Sequence, residues 1–110
     1  MADNRYSILT DDLDCCIICG RPHAEKHEIF FGSGKRKLSI KYGLVIPLCY
    51  IHHRDSKSGI HFNKTLREYW FKKGQEAFEK CYPKLNFMEI FGRNYIWAFT
   101  GKEKKGHYPR

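Results

Sequence analysis

Two short spacings constrain this chain more than any other feature. Cys16 and Cys19 form a C-x2-C pair, and Cys49 and His52 form a C-x2-H pair, with residues 20–48, 29 in all, between them. A two-residue spacing lets both members of a pair reach one ion from a tight turn, and zinc accepts thiolate and imidazole tetrahedrally. Four such ligands would staple two distant parts of the chain together and contribute directly to folding. Cys15 is an imperfect substitute for Cys16, and His53 can replace His52, since C-x3-H spacing is also used. The plain alternative is a set of buried apolar thiols, and two well-spaced pairs weigh against it. Cys81 is expected as a small packed residue on the apolar face of a helix.

The fifth cysteine makes the count odd. The chain opens "MADNRYSILTDDLD", polar and acidic, without the basic start and apolar stretch of an export signal. A cytoplasmic location is therefore expected, where thiols stay reduced and ligation is favoured over disulfides. With 110 residues and 42% hydrophobic content, one globular domain is expected, with no run long enough for a membrane span. Lys and Arg outnumber Asp and Glu by 20 to 12, a net charge of +8 that suits a polyanionic partner, nucleic acid first.

Along the chain, the cysteine knuckle leads into "HEIFF", a short strand stopped by "GSG", and then into "KRKLSIK", read as a basic loop. "GLVIPLC" reads as a second strand, with Pro47 placing it at an edge. The histidines that follow start a helix. "TLRE" fits a capping box with Thr65 as N-cap and Glu68 returning the bond, opening a helix that ends at Pro83. A shorter helix spans "KLNFMEIF" and stops at Gly92, and the basic tail is expected to be mobile.

Consecutive helical residues differ by about 100° around the axis, so His53 turns away from His52 and can face the strand that carries His27 and Glu28. His61 and Asn63 follow shortly. These side chains can ligate a divalent metal or move a proton. Each also has an ordinary reading: a strand surface, a solvated charge, a loop residue and, for Asn63, a helix cap.

Taken in order, "CIIC … HEIFFG … GLVIPLC-x2-HH … GIHFNK" resembles the HNH, or His-Me finger, nucleases, in the small zinc-knuckle form common in bacteriophages and mobile elements. The resemblance runs from about Cys16 to Asn63, and more weakly beyond. It implies an α+β fold: a ββα-metal core with a zinc knuckle and additional C-terminal helices. It implies one nuclease domain over residues 1–110, with an N-terminal arm at 1–14, knuckle and core at 15–63, a helical extension at 64–92, and a C-terminal segment with a basic tail at 93–110.

The implied activity is metal-dependent hydrolysis of DNA phosphodiester bonds. Cys16, Cys19, Cys49 and His52 match the structural zinc ligands, and His53 matches a ligand of the catalytic ion. His27 and Glu28 match a strand pair in which one residue binds metal and the other activates water. His61, with or without Asn63, adds a further ligand. Many relatives have histidine where this chain has Glu28, and the asparagine that usually precedes the second strand is missing from "KYGLV". Of the strand pair, His27 is favoured as the base, because a free imidazole titrates nearer neutrality than a carboxylate. Mg²⁺, Mn²⁺ and Ni²⁺ all remain open as the catalytic ion. Lys35, Arg36, Lys37, Lys41, Arg54 and Lys57 are candidate contacts to the DNA backbone. A zinc-stabilised binding module without the chemistry, or a phage-encoded interaction or inhibitor protein, is the alternative. A homodimer and a protein partner in a phage or host system are left open.

Overall fold

The structure is a computed structural model that describes residues 5–96. Two short strands, β1 (Glu25–Glu28) and β2 (Val45–Leu48), pair antiparallel in the register Glu25 with Leu48, Lys26 with Pro47, His27 with Ile46 and Glu28 with Val45. Four helices complete an α+β chain: α1 (Lys35–Tyr42), α2 (Tyr50–Arg54), α3 (Lys64–Cys81) and α4 (Phe87–Phe91). No helix among the described residues is long and apolar enough to cross a membrane.

Every residue of β2 is buried, as its run of branched apolar side chains requires. Pro47 has no N–H to give a ladder, yet its carbonyl accepts from Ile17 N at 2.9 Å. That bond lays the cysteine knuckle against β2. The remaining core is aromatic. Phe30 has Phe71, Phe87, Phe91 and Tyr95 around it at centroid distances of 4.9–5.5 Å. The last helices thus close over the same core as the strands. Gly74, inside α3, is what permits that approach. A Cβ there would stand 3.0 Å from the Phe30 ring and 3.1 Å from Ile29.

Several expectations need correction. The first strand is Glu25–Glu28 and not "HEIFF": past its end Ile29 N still donates to Leu44 O at 2.9 Å, and the Ile29 and Phe30 side chains sit in the core. The basic loop is a helix, α1, bounded by Gly34 and Gly43 in left-handed conformation. Its anchor is Ser39, whose buried hydroxyl donates to Phe30 O at 2.7 Å and accepts from Phe30 N at 3.0 Å. The N-cap of α3 is Asn63, whose side chain accepts from Leu66 N at 3.0 Å, so Thr65 lies within the helix. Cys81 is exposed and not packed on an apolar face. Of the N-terminal arm, Tyr6 and Ile8 are fastened to the end of α1: Ile8 N donates to Gly43 O at 2.9 Å and the Tyr6 hydroxyl to Lys41 O at 2.6 Å. Helix α4, with its Asn86 cap and Gly92 stop, falls within the expected span. The basic tail, "GKEKKGHYPR", lies outside the described residues.

Candidate functional site

The knuckle is a tight turn. Gly20 N donates to Cys16 O and Cys16 N to Arg21 O, both at 2.8 Å, and the turn closes through Gly20 at φ 81°. It presents Cys16 and Cys19 to the end of β2, where Cys49 precedes α2 and His52 lies one turn along it. The four ligand atoms all lie within 4.8 Å of one another. Tetrahedral zinc with ordinary bond lengths sets edges of about 3.8 Å between sulfurs and about 3.5 Å between sulfur and nitrogen. Here Cys19 Sγ is 3.7 Å from Cys49 Sγ, and His52 Nδ1 is 3.6 Å from Cys16 Sγ and 3.3 Å from Cys49 Sγ. The group can therefore hold a metal such as zinc, with Cys16, not Cys15, as the ligand. Burial pushes the Cys49 thiol upward, but hydrogen bonds from the His52 backbone and ring and from Cys19 and Cys16 outweigh it and bring it down to about 6. At neutral pH that sulfur is available as the thiolate a metal needs.

The next residue serves a different cluster. His53 is buried and faces β1, so adjacent histidines on one short helix belong to two separate groups. His27, His53 and His61 form the second group, with ring centroids 5.0–5.1 Å apart in every pairing. His61 arrives from a turn that Asp55 organises, its Oδ2 accepting from Lys57 N, Ser58 N and the Ser58 hydroxyl at 3.0 Å. Gly59 is required in that turn, because a Cβ would stand 2.6 Å from Asp55 O. Ile60 N then donates to His52 O at 2.7 Å, which pins the turn to α2.

His53 Nε2 lies 3.3 Å from His61 Nε2. Two imidazole nitrogens on one tetrahedral ion are also about 3.3 Å apart at ordinary bond lengths. His27 Nε2 is buried without a hydrogen-bond partner, a state it shares among the described residues only with Trp70 Nε1. Burial, with the charges of His53, His61 and Arg36, lowers His27 to about 3. Burial, His53 and the neighbouring arginines also lower His61. Both rings therefore favour the neutral form that ligates metal. Three nitrogen donors suit Ni²⁺ or Zn²⁺ better than Mg²⁺ or Mn²⁺, which prefer oxygen.

Glu25 is a site residue that the motif reading omits. Its Oε1 accepts from His53 Nδ1 at 2.6 Å and from Arg54 Nε at 2.8 Å. Those bonds, His53 first, hold its carboxyl below the usual range. A carboxylate on the far nitrogen fixes the ring and leaves Nε2 facing the cluster. The signal in the sequence was strand periodicity, since residues i and i+2 share a face and Glu25 precedes His27 by two.

Glu28 stands elsewhere. Its buried carboxylate takes Arg5 Nε at 2.5 Å and Arg36 Nη1 at 2.9 Å, and it is not part of the imidazole group. Asn63, as the α3 cap, is also outside that group. The three histidines and Glu28 line a cavity of about 270 Å³ together with Arg5, Lys26, Phe31, Arg36 and Arg54. Of the expected backbone-contacting cations, Arg36 and Arg54 reach this cavity, and Lys35, Lys37, Lys41 and Lys57 do not line it. Arg5 and Lys26 line it without having been expected. No family model, curated protein or solved structure matches the chain.

Proposed function

We propose that the chain is a metal-dependent endonuclease of the HNH type that hydrolyses phosphodiester bonds in DNA. The observation that carries the reading is the convergence of His27, His53 and His61 on one point in a cavity rimmed by Arg5, Lys26, Arg36 and Arg54. The order of parts supports it: a cysteine knuckle, an antiparallel strand pair, and a short helix that shares its histidines between two clusters.

A divalent ion held by the three imidazoles would offset charge on the scissile phosphate and acidify a water. His27 and His53, both buried, and His61 at the rim are its donors. In this reading His27 is a ligand and not the base favoured from sequence. A ring held near pKa 3 by burial is a good neutral donor and a poor proton acceptor at neutral pH. Glu25 orients His53, and the Phe31 ring, 5.2 Å from His61 and 5.7 Å from His27, walls the donors on one side. Arg36 and Arg54 meet the DNA backbone at the rim.

The test is supercoiled plasmid incubated with zinc-loaded protein and Ni²⁺, Mn²⁺ or Mg²⁺, alongside a His53→Ala protein purified in parallel. Nicking that needs an added ion, prefers Ni²⁺ and vanishes in His53→Ala is the expected result. Plasmid that stays intact under every ion, or is cut equally by the variant, overturns the reading. Retention of intact plasmid with a steep salt dependence would then favour a binding module.

A further inference from the structure

Glu28 occupies the place where the nuclease reading looks for a reacting group, yet its two oxygens are taken by two guanidiniums from different parts of the chain. Arg5 comes from the N-terminal arm, which Ile8 and Tyr6 fasten to the end of α1. Arg36 comes from the first turn of α1, which Ser39 fastens to Phe30. Both therefore stand on anchored backbone. The Glu28 side chain is 5% exposed, while those of Arg5 and Arg36 are 34% and 56% exposed. A buried carboxylate thus holds two solvent-facing cations over the same cavity that the three histidines line.

We infer that Glu28 is a positioning residue that sets the Arg5 and Arg36 guanidiniums as a fork for a phosphate group beside the histidine cluster. This rests on the nuclease reading for its substrate, a DNA phosphodiester, and for nothing else. The planar guanidinium matches phosphate oxygens bidentately, but only when its orientation is fixed, because an unheld arginine loses much rotamer freedom on binding. Glu28 supplies that orientation before the phosphate arrives. It gives up one unit of local positive charge and leaves the fork with a net charge of one.

That trade makes the sign of one measurement decisive. If Glu28 were merely a negative charge near the phosphate, Glu28→Gln would tighten DNA binding. A positioning Glu28 predicts the opposite, weaker binding despite the gain in net positive charge.

The experiment measures fluorescence anisotropy of a labelled DNA duplex with zinc-loaded protein and no other added metal, so that binding is read apart from cutting. Wild type, Glu28→Gln, Arg36→Ala and the double variant are compared across a salt series, with thermal melting of each. Glu28→Gln should weaken binding by about tenfold, the scale of one charge-assisted contact. Arg36→Ala should weaken it similarly and lower the salt slope by about one. The double variant should be weaker than Arg36→Ala alone, but by less than the product of the two single effects, since with Arg36 gone Glu28 positions only Arg5. Arg36 is exposed, so its variant should fold even if Glu28→Gln does not, and unchanged binding by Arg36→Ala overturns the proposal by itself. Tighter binding by Glu28→Gln overturns it as well, and so does unchanged binding with cutting abolished, which would place Glu28 in the chemistry. A wild-type protein that binds the duplex and never cuts, but weakens as predicted in both variants, would sink the nuclease reading and leave the phosphate fork standing. No binding by the wild type would overturn the phosphate fork and leave the nuclease reading to the plasmid assay with added ion.

Discussion

Replacing Cys49 by serine should remove about one quarter of a zinc site and, with it, much of the stability of the fold. Cys49 is 2% exposed, its sulfur lies between Cys19 and His52, and its backbone joins β2 to α2. Structural zinc sites bind with about 10–16 kcal/mol at neutral pH, so an equal share per ligand is about 2.5–4 kcal/mol. A loss of that size weakens zinc binding by roughly 100- to 1000-fold. In a domain near this length each kcal/mol moves the melting temperature by about 4–8 °C, which gives a fall of about 10–30 °C. The assay is a thermal melt of wild type, Cys49→Ser and His53→Ala, each with and without a strong chelator, together with metal analysis of the purified proteins. Wild type should carry about one tightly held zinc per chain and melt lower with chelator. His53→Ala should keep its zinc and melt within a few degrees of wild type. Zinc-free wild type, or Cys49→Ser melting like wild type, would refute the reasoning.

Three further outcomes follow from the second cluster. Glu25→Gln should weaken Ni²⁺ binding to zinc-loaded protein by about 10- to 100-fold in calorimetric titration, because a neutral amide holds the His53 ring less firmly and leaves it less basic. Burial depresses His27 to about 3 in the folded state against about 6.5 unfolded, so the unfolded chain takes the proton first. Its contribution is present above pH 6.5 and is lost as the pH falls toward 3, by up to about 1.4 kcal/mol per pH unit, and His27→Gln should show a shallower decline in chemical denaturation at matched zinc loading. Gly59→Ala should destabilise the protein by about 1–3 kcal/mol, since the new methyl meets the Asp55 carbonyl at 2.6 Å, and should weaken Ni²⁺ binding through the displaced His61.

The sequence was most informative where chemistry dictates spacing. Cys16, Cys19, Cys49 and His52 come together as the pairs require, because a ligand spacing is nearly a statement of geometry. Convergence of His27, His53 and His61 was legible only in part. The 100° step of a helix sends His53 away from His52, but the arrival of His61 depends on a turn shaped by Asp55 and Gly59. Helix α1 was hidden because it has little apolar periodicity: four of its eight residues are cationic, and the one that is fully buried is a serine. Its glycines, Gly34 and Gly43, were the overlooked marks of its ends. The cap of α3 was misplaced by two residues because Asn63 and Thr65 both fit the N-terminus of a helix, and backbone geometry decides between them. The pairing of Glu28 with Arg5 was hidden because side-chain chemistry alone does not reveal a partner 23 residues earlier in the chain.

Helix α2 has five residues, little more than one turn, and no helix so short keeps its shape unaided. Its first neighbour, Cys49, and its third residue, His52, belong to the cysteine cluster, and its fourth, His53, belongs to the histidine cluster. The two clusters therefore share one turn of backbone. An ion bound at the cysteine cluster would fix the turn that aims His53 at His27 and His61, and an ion bound at the histidines would steady the same turn for Cys49 and His52. By linkage each would raise the affinity of the other site by the same factor, so occupancy of the two clusters should rise and fall together.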